Sequence, residues 1–408
     1  MSHAAALRIP TTTPGARLVL ILGGLAAFGP LSFDMYLPAF PELRETFGAS
    51  ASAVQLTLTA GLLGLGLGQL VAGPMSDALG RRGPLLAGLA GYVCVSLLCA
   101  VAPSIEALVG LRFLQGLTAA AGVVMSRAIV RDVSSGVAMA RLFSLLMLVN
   151  GLAPILAPTI GSAVLGITSW RGIFVVLAGF GLVLLGVASV GLPETLPAER
   201  RRDGGLRTTV HGFAALLRDR TFVGYGLTLG LSIGSVFAYI AGSSFALQDV
   251  YSLSPGAFAL SFGVNGVGIV ACSQANRFLL QRLAPRRLLV LGLASMSCGA
   301  VTLLAVVASG TGLPWALGAL FVSVASVGFV MPNATALALA SHADVAGSAS
   351  ALLGVNQFLV GAVAAPLVGI AGVGTAVPMA LVMTLSCLAA VFALATLTQP
   401  ALRREVPG

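Results

Sequence analysis

Gly73-Pro74-Met75-Ser76-Asp77-Ala78-Leu79-Gly80-Arg81-Arg82 is a short polar passage between two long apolar runs. Its last four residues have a counterpart 205 positions later, Ala284-Pro285-Arg286-Arg287, which also joins two apolar runs. A charged turn repeated at that distance points to a chain built as two similar halves. In each half it follows the second apolar run.

Outward from these turns, hydropathy predicts spans near 18–38, 53–75, 84–102, 107–130, 139–164 and 171–192. Six more follow near 221–246, 256–276, 287–309, 313–340, 346–370 and 375–397. Each has the length of about 20 residues that an α-helix needs to cross a bilayer. Strand-like alternation of the kind a membrane barrel needs is missing. The expected division is an N-terminal six-helix half over 1–192, a cytoplasmic linker over 193–220 and a C-terminal six-helix half over 221–408. The linker begins Pro193-Glu194-Thr195-Leu196-Pro197-Ala198-Glu199-Arg200, a solvated composition.

Composition agrees. The 408 residues are 57% hydrophobic and 9% charged, against about 25% charged in a soluble domain. Mean hydropathy is +1.01. The net charge of +9 comes from arginine alone, since the chain has no lysine. A Walker A loop needs a lysine for the phosphates, so ATP hydrolysis of that kind is excluded and an ion gradient is the expected energy source. The polar surface is too small for a nucleic-acid platform. Most arginines fall in alternate connections: Arg81, Arg82, Arg131, Arg141, Arg200–Arg202, Arg207, Arg218, Arg220, Arg277, Arg282, Arg286, Arg287, Arg403 and Arg404 on one side, Arg44 and Arg171 on the other. The positive-inside rule therefore places both termini in the cytoplasm.

Cys94, Cys99, Cys272, Cys298 and Cys387 lie in apolar runs without a CxxC pair, so neither a metal site nor a redox motif is expected. His3, His211 and His342 make no HExxH, which leaves no candidate catalytic cluster. No cofactor is expected beyond a proton gradient.

The opening stretch resembles the loop signature G-x-x-x-D-x-x-G-R-R of the major facilitator superfamily. Leu111-Arg112-Phe113-Leu114-Gln115-Gly116 is similar to the family's R-x-x-Q-G motif in span four. Gly151-Leu152-Ala153-Pro154-Ile155-Leu156-Ala157-Pro158-Thr159-Ile160-Gly161 resembles its Gly/Pro-rich antiporter motif, departing from the commoner form at Ala157 and Ser162. A closer resemblance, to the Bcr/CflA (bicyclomycin/chloramphenicol resistance) drug/proton antiporters, rests on four segments. They are Asp34-Met35-Tyr36-Leu37-Pro38-Ala39, Val54-Gln55-Leu56-Thr57-Leu58, Arg127-Ala128-Ile129-Val130-Arg131-Asp132 and Leu192-Pro193-Glu194-Thr195-Leu196. The resemblance implies an all-α membrane protein with the major facilitator fold: twelve transmembrane helices in two six-helix halves, the site between them. It also implies proton-coupled efflux of small amphipathic drugs across the bacterial cytoplasmic (inner) membrane by a monomer.

Ionisable residues inside spans are costly and are functional candidates. Asp34 and Arg112 stand clearly away from the predicted span ends, at a shared depth. They are the expected proton-coupling pair, joined directly or through water; the alternative is a tie between spans one and four. Shifted by 205, position 34 becomes Tyr239, so the second half carries no matching charge. Tyr239 and Phe237 are an expected aromatic wall opposite Asp34, or ordinary packing. Tyr36, Gln115, Ala119, Met147, Asn150, Asn356 and Gln357 complete the expected substrate site. Hydrogen bonds between helices explain the buried amides equally well.

Gly73, Asp77, Gly80, Arg81, Arg82 and Arg131 are the expected cytoplasmic gate, in which the resemblance implies a pairing of Asp77 with an arginine. A topology signal without a gating role is the alternative. Pro154 and Pro158 remove backbone donors and should bend span five. Gly61, Gly64, Gly66 and Gly68 should let span two pack closely. One embedded acid favours uncharged or singly cationic amphipathic cargo. A facilitator for a small metabolite, such as an amino acid or sugar derivative, stays open. A channel would need a repeated polar filter, which the sequence lacks.

Overall fold

In a computed structural model of the chain, residues 16–134, 136–201, 216–340, 346–370 and 374–398 are described. Among them, ten helical stretches are long and apolar enough to cross a membrane: Arg17–Phe47, Ala51–Leu79, Arg82–Ala100, Ile105–Val133, Trp170–Gly191, Arg220–Val250, Pro255–Leu279, Pro285–Ser309, Leu313–Leu339 and Val377–Leu397. Helices Gly136–Leu165 and Ala346–Leu367, with 30 and 22 residues, supply the fifth and eleventh spans. The twelve are numbered here in chain order.

Several spans begin where the local chemistry requires. Ser50, Ser104 and Ser254 accept hydrogen bonds from the N–H groups of Ala53, Ala107 and Ala257. Asp219 does the same for Thr221 and Phe222. Each cap satisfies a donor that a helix start leaves open, an effect of about 1 kcal/mol.

Two expected spans are not continuous. The first helix, Ala16–Asp34, stops at Asp34; a 3-10 turn at Leu37–Ala39 and a short helix at Phe40–Phe47 follow. Pro38 and Pro41 lack the N–H that a continuing helix would use, yet each fits the first turn of a new one. The tenth span divides into Leu313–Ala325 and Val327–Leu339 at Ser326. The Ser326 hydroxyl donates to the Val322 carbonyl at 2.7 Å, a back-bond that bends helices. The fifth helix runs on through Pro154 and Pro158.

Small residues set a tight seam between the second and fourth spans. A methyl group added at Gly64 would overlap the Phe113 carbonyl oxygen, and one at Gly116 the Gly61 carbonyl oxygen. At Gly68 it would meet Ala120 and the Leu117 carbonyl. Gly66 instead faces Phe358 of the eleventh span.

Across the molecule the second span packs on the eleventh and the fifth on the eighth. The outer ends are tied. Arg44 pairs with Asp249 at 2.9 Å and lies over the Phe245 ring. Ser244 donates to the Leu37 carbonyl at 2.7 Å, Gln248 to that of Pro38 at 3.3 Å, and Gln55 to that of Ala241 at 3.1 Å. These contacts reach down to mid-span, where Ile155 meets Gly266 and Phe358 meets Gly66. No hydrogen bond or ion pair joins the halves below that level among the described residues. Among the described residues, the molecule is therefore closed at its outer end, and its cross-half contacts stop short of the arginine-rich side.

Candidate transport site between the halves

Asp34 is the last residue of the first helix, at the break before the proline-led turn. The chain is held there by the fifth span. A methyl group at Gly161 would overlap the Met35 carbonyl oxygen, so only glycine permits that approach. The Asp34 residue is 7% exposed. Among the described residues it has no ion pair and no hydrogen-bond donor.

Across the seam, Tyr239 of the seventh span lies within electrostatic reach of Asp34. Its hydroxyl oxygen accepts from Asn265 Nδ2 at 2.9 Å, and its ring stacks on Phe262 at 5.3 Å between centroids. Tyr239 and Asp34, expected opposite each other, are thus near enough to interact electrostatically. Asn265 has no counterpart among the sequence expectations; an asparagine in an apolar run carries no sign of its partner.

The expected pairing of Asp34 with Arg112 is not formed. Arg112 is fully buried in a box of rings instead, its guanidinium carbon 5.3 Å from the Phe33 centroid, 4.2 Å from Tyr36 and 5.7 Å from Phe174. Nη1 donates to Gln115 Oε1, and Gln115 passes a 2.7 Å hydrogen bond to Ser96. Nε and Nη2 have no acceptor among the described residues. Ring faces carry negative potential, so they receive the cation without an acid.

Tyr36, Gln115 and Ala119 are equally buried inside the first-half bundle, with the Tyr36 hydroxyl 3.1 Å from that of Thr57. In this conformation they pack helices together and do not line the gap. Asn356 is also spent on packing, donating to the Gly226 carbonyl at 2.7 Å. Phe237 packs beside Gly361, 6.4 Å from the Phe358 ring. Gln357 is half-buried and has no hydrogen bond among the described residues. It sits between the face that carries Asn356 and Val360 against the seventh span and Phe358, which touches the second. The side chains of Met147 and Asn150 lie outside the described residues.

Of the expected gate residues, Asp77, Arg81 and Arg82 join one hydrogen-bonded cluster. Arg81 bridges Asp77 at 2.6 Å and Asp132 at 2.8 Å, and donates to Ser76 at 2.7 Å. Thr195 adds a hydrogen bond to Asp132 at 3.2 Å. Glu194 accepts from the backbone N–H groups of Arg81 at 2.8 Å and Arg82 at 3.2 Å, and from that of Leu196 at 3.0 Å. Arg82 reaches the Ser189 carbonyl at 2.7 Å. Gly80 turns with φ +95°, and a methyl group there would strike Glu194. Gly73 has open space around it. Arg131 is exposed and lines a polar cleft of about 630 Å³ with Asp77, Arg81, Asp132, Glu199 and Arg201. Every partner in this cluster belongs to the first half or the segment just after it. It fastens those spans to one another and does not itself bridge the halves.

The model of the Major Facilitator Superfamily matches residues 22–366. The chain belongs to that superfamily. Among curated relatives, it is 42% identical over 383 residues to the "Uncharacterized MFS-type transporter YdgK" of Bacillus subtilis, covering 92% of this chain and 94% of the relative. It is 31% identical over 367 residues to the "Bicyclomycin resistance protein homolog" of Haemophilus influenzae, covering 90% and 92%. Among solved structures, a bacterial homolog of the human lysosomal transporter Spinster, inward-facing and unoccupied, superposes with a TM-score of 0.74 at 14% identity, covering 96% and 99%. This facilitator is thus a multi-pass membrane transporter and not an enzyme.

Proposed function

We propose that this facilitator exports small amphipathic drugs, of the bicyclomycin or chloramphenicol type, in exchange for protons across the bacterial cytoplasmic membrane. The observation that carries the reading is Asp34: a carboxylate at the closed end of the seam, without a cation to neutralise it among the described residues, and within electrostatic reach of Tyr239 of the other half. An unpaired anion in such a place is costly. A proton entering from outside neutralises it. When the seam parts, the proton leaves to the cytoplasmic side and cargo takes its place. Proton and cargo then alter each other's affinity, as linkage requires. The name of the Haemophilus relative supports drugs as the cargo class.

The test is drug accumulation in a bacterium lacking its own exporters. Wild type should keep accumulation of a phenicol low. A protonophore, or Asp34→Asn, should raise it to the level of cells without the transporter. Low accumulation retained in membrane-inserted Asp34→Asn would remove Asp34 from the mechanism. Unchanged accumulation of every drug tested would favour a metabolite carrier.

A further inference from the structure

The fourth span carries a cation that the Asp34 mechanism does not use. Arg127 lies nine residues beyond Thr118, which is half a turn around the helix at 100° per residue. Thr118 packs against Gly91 of the third span, on the outer flank of the first half. Arg127 therefore points away from the third span, between the first span and the second, on which Gly116 and Ala120, about 20° to either side, pack farther out. Val123, four residues earlier and about 40° away, touches Gly29 of the first span. Arg127 itself is exposed.

Nothing on the protein neutralises this guanidinium among the described residues. Asp77 and Asp132 are bound to Arg81, and Glu194 is bound to backbone N–H groups. Asp34 is remote. It shares the neighbourhood of Phe33 and Arg112, and fifteen residues of helix separate Arg112 from Arg127, about 22 Å at 1.5 Å per residue. That exceeds the screening length of about 8 Å in physiological salt. The seventh, the inner part of the tenth and the eleventh spans have no Asp or Glu over 220–244, 327–339 and 346–367; Asp344, in the connection between the tenth and eleventh, lies outside the described residues. What these spans bring is the amide of Gln357, which has no hydrogen bond among the described residues.

We propose that Arg127 gives the inner part of the gap an acceptor-seeking, cation-rejecting character. The cargo that fits is neutral or acidic and carries a carboxylate, enolate or similar acceptor, while a cationic amphipath is turned away. This deepens the export reading, on which it rests; of the uncharged or singly cationic cargo expected from Asp34 alone it keeps the uncharged and replaces the cationic with the acidic. The guanidinium suits the task because it offers several donors in a fixed plane and stays charged at any physiological pH.

The experiment measures equilibrium binding to the full chain in nanodiscs, with Asp34 intact. The probes are three fluorescent amphipaths on one scaffold, bearing a carboxylate, a primary amide or a quaternary ammonium. The carboxylate should bind roughly tenfold more tightly than the ammonium, and the gap should shrink at high salt. Arg127→Gln should abolish the difference, and Arg127→Glu should invert it. Folding of each variant is checked by its thermal unfolding transition. An ammonium probe bound as well as the carboxylate by wild type overturns the proposal. So does an order of affinities unchanged in both variants, or no binding of any probe by folded protein. Failure of proton-driven export in the Asp34 test, with the charge order intact, would sink the export reading and leave this assignment standing.

Discussion

Arg112 brings a full charge into the first half, and rings receive it where an acid was expected. A cation on an aromatic face gains about 0.5–2 kcal/mol, most when desolvated. Arginine does this with a planar group that lies flat between Phe33, Tyr36 and Phe174; a lysine ammonium cannot. Arg112→Lys, which keeps the charge, should therefore lower stability by about 1–2 kcal/mol, read as a lower thermal transition in detergent. Retained stability and export in that variant would show that charge alone is needed there. Asp34 and Arg112 were conspicuous in the sequence because charges interrupt apolar runs. Their failure to pair was not, since shared depth says nothing about which way each side chain turns around its helix. Arg127 escaped notice for the same reason. Near a span end an arginine reads as a topology signal, and only the packing of Thr118, Ala120 and Val123 shows that it turns away from the third span. Tyr239 was found through the repeat, which predicts position as well as composition; Asn265 offered no such handle.

Among the connecting elements, the segment after the sixth span does more than link. Its Glu194 clamps the turn at Arg81 and Arg82, and its Thr195 holds Asp132. Burial works against the Glu194 charge, but the N–H groups of Leu196, Arg81 and Arg82 and the nearby Arg201 outweigh it and hold the carboxyl below the ordinary glutamate range. The sign follows. A carboxylate more acidic when folded than unfolded lends stability above the unfolded value, and loses it as pH falls through the folded one. The clamp should thus be intact at neutral pH and release below about pH 4.5, the ordinary glutamate value. Glu194→Gln should mimic the acid state at any pH. Both are measurable as faster proteolysis at 193–201 in inside-out vesicles, against an unchanged rate at an outer loop. The spans themselves were legible from hydropathy, including the second-half set. Their breaks were less so: Pro38 and Ser326 interrupt runs that remain apolar throughout, and hydropathy cannot see a lost N–H or a back-bonded hydroxyl.

At the scale of the whole molecule, the halves are fastened only on the outer side, among the described residues. One ion pair, Arg44 with Asp249, spans that fastening, with both side chains partly exposed. Such a pair contributes about 1 kcal/mol, roughly a fivefold change in an equilibrium. Arg44→Ala should move the population toward the outward-open form by that factor, and the exchanged pair Arg44→Asp with Asp249→Arg should restore it. The readout is the distance between spin labels at the outer ends of the second and eleventh spans. An unmoved distance distribution in Arg44→Ala would assign closure to the backbone-directed hydrogen bonds of Ser244, Gln248 and Gln55 alone. The glycine seam between the second and fourth spans has a different consequence, one for heredity. At Gly64, Gly68 and Gly116 a side chain would start inside the backbone of the facing span, so those positions are closed to variation. A lineage under selection for a new cargo must find its changes on walls that face the gap, and the shared block behind them is inherited unaltered.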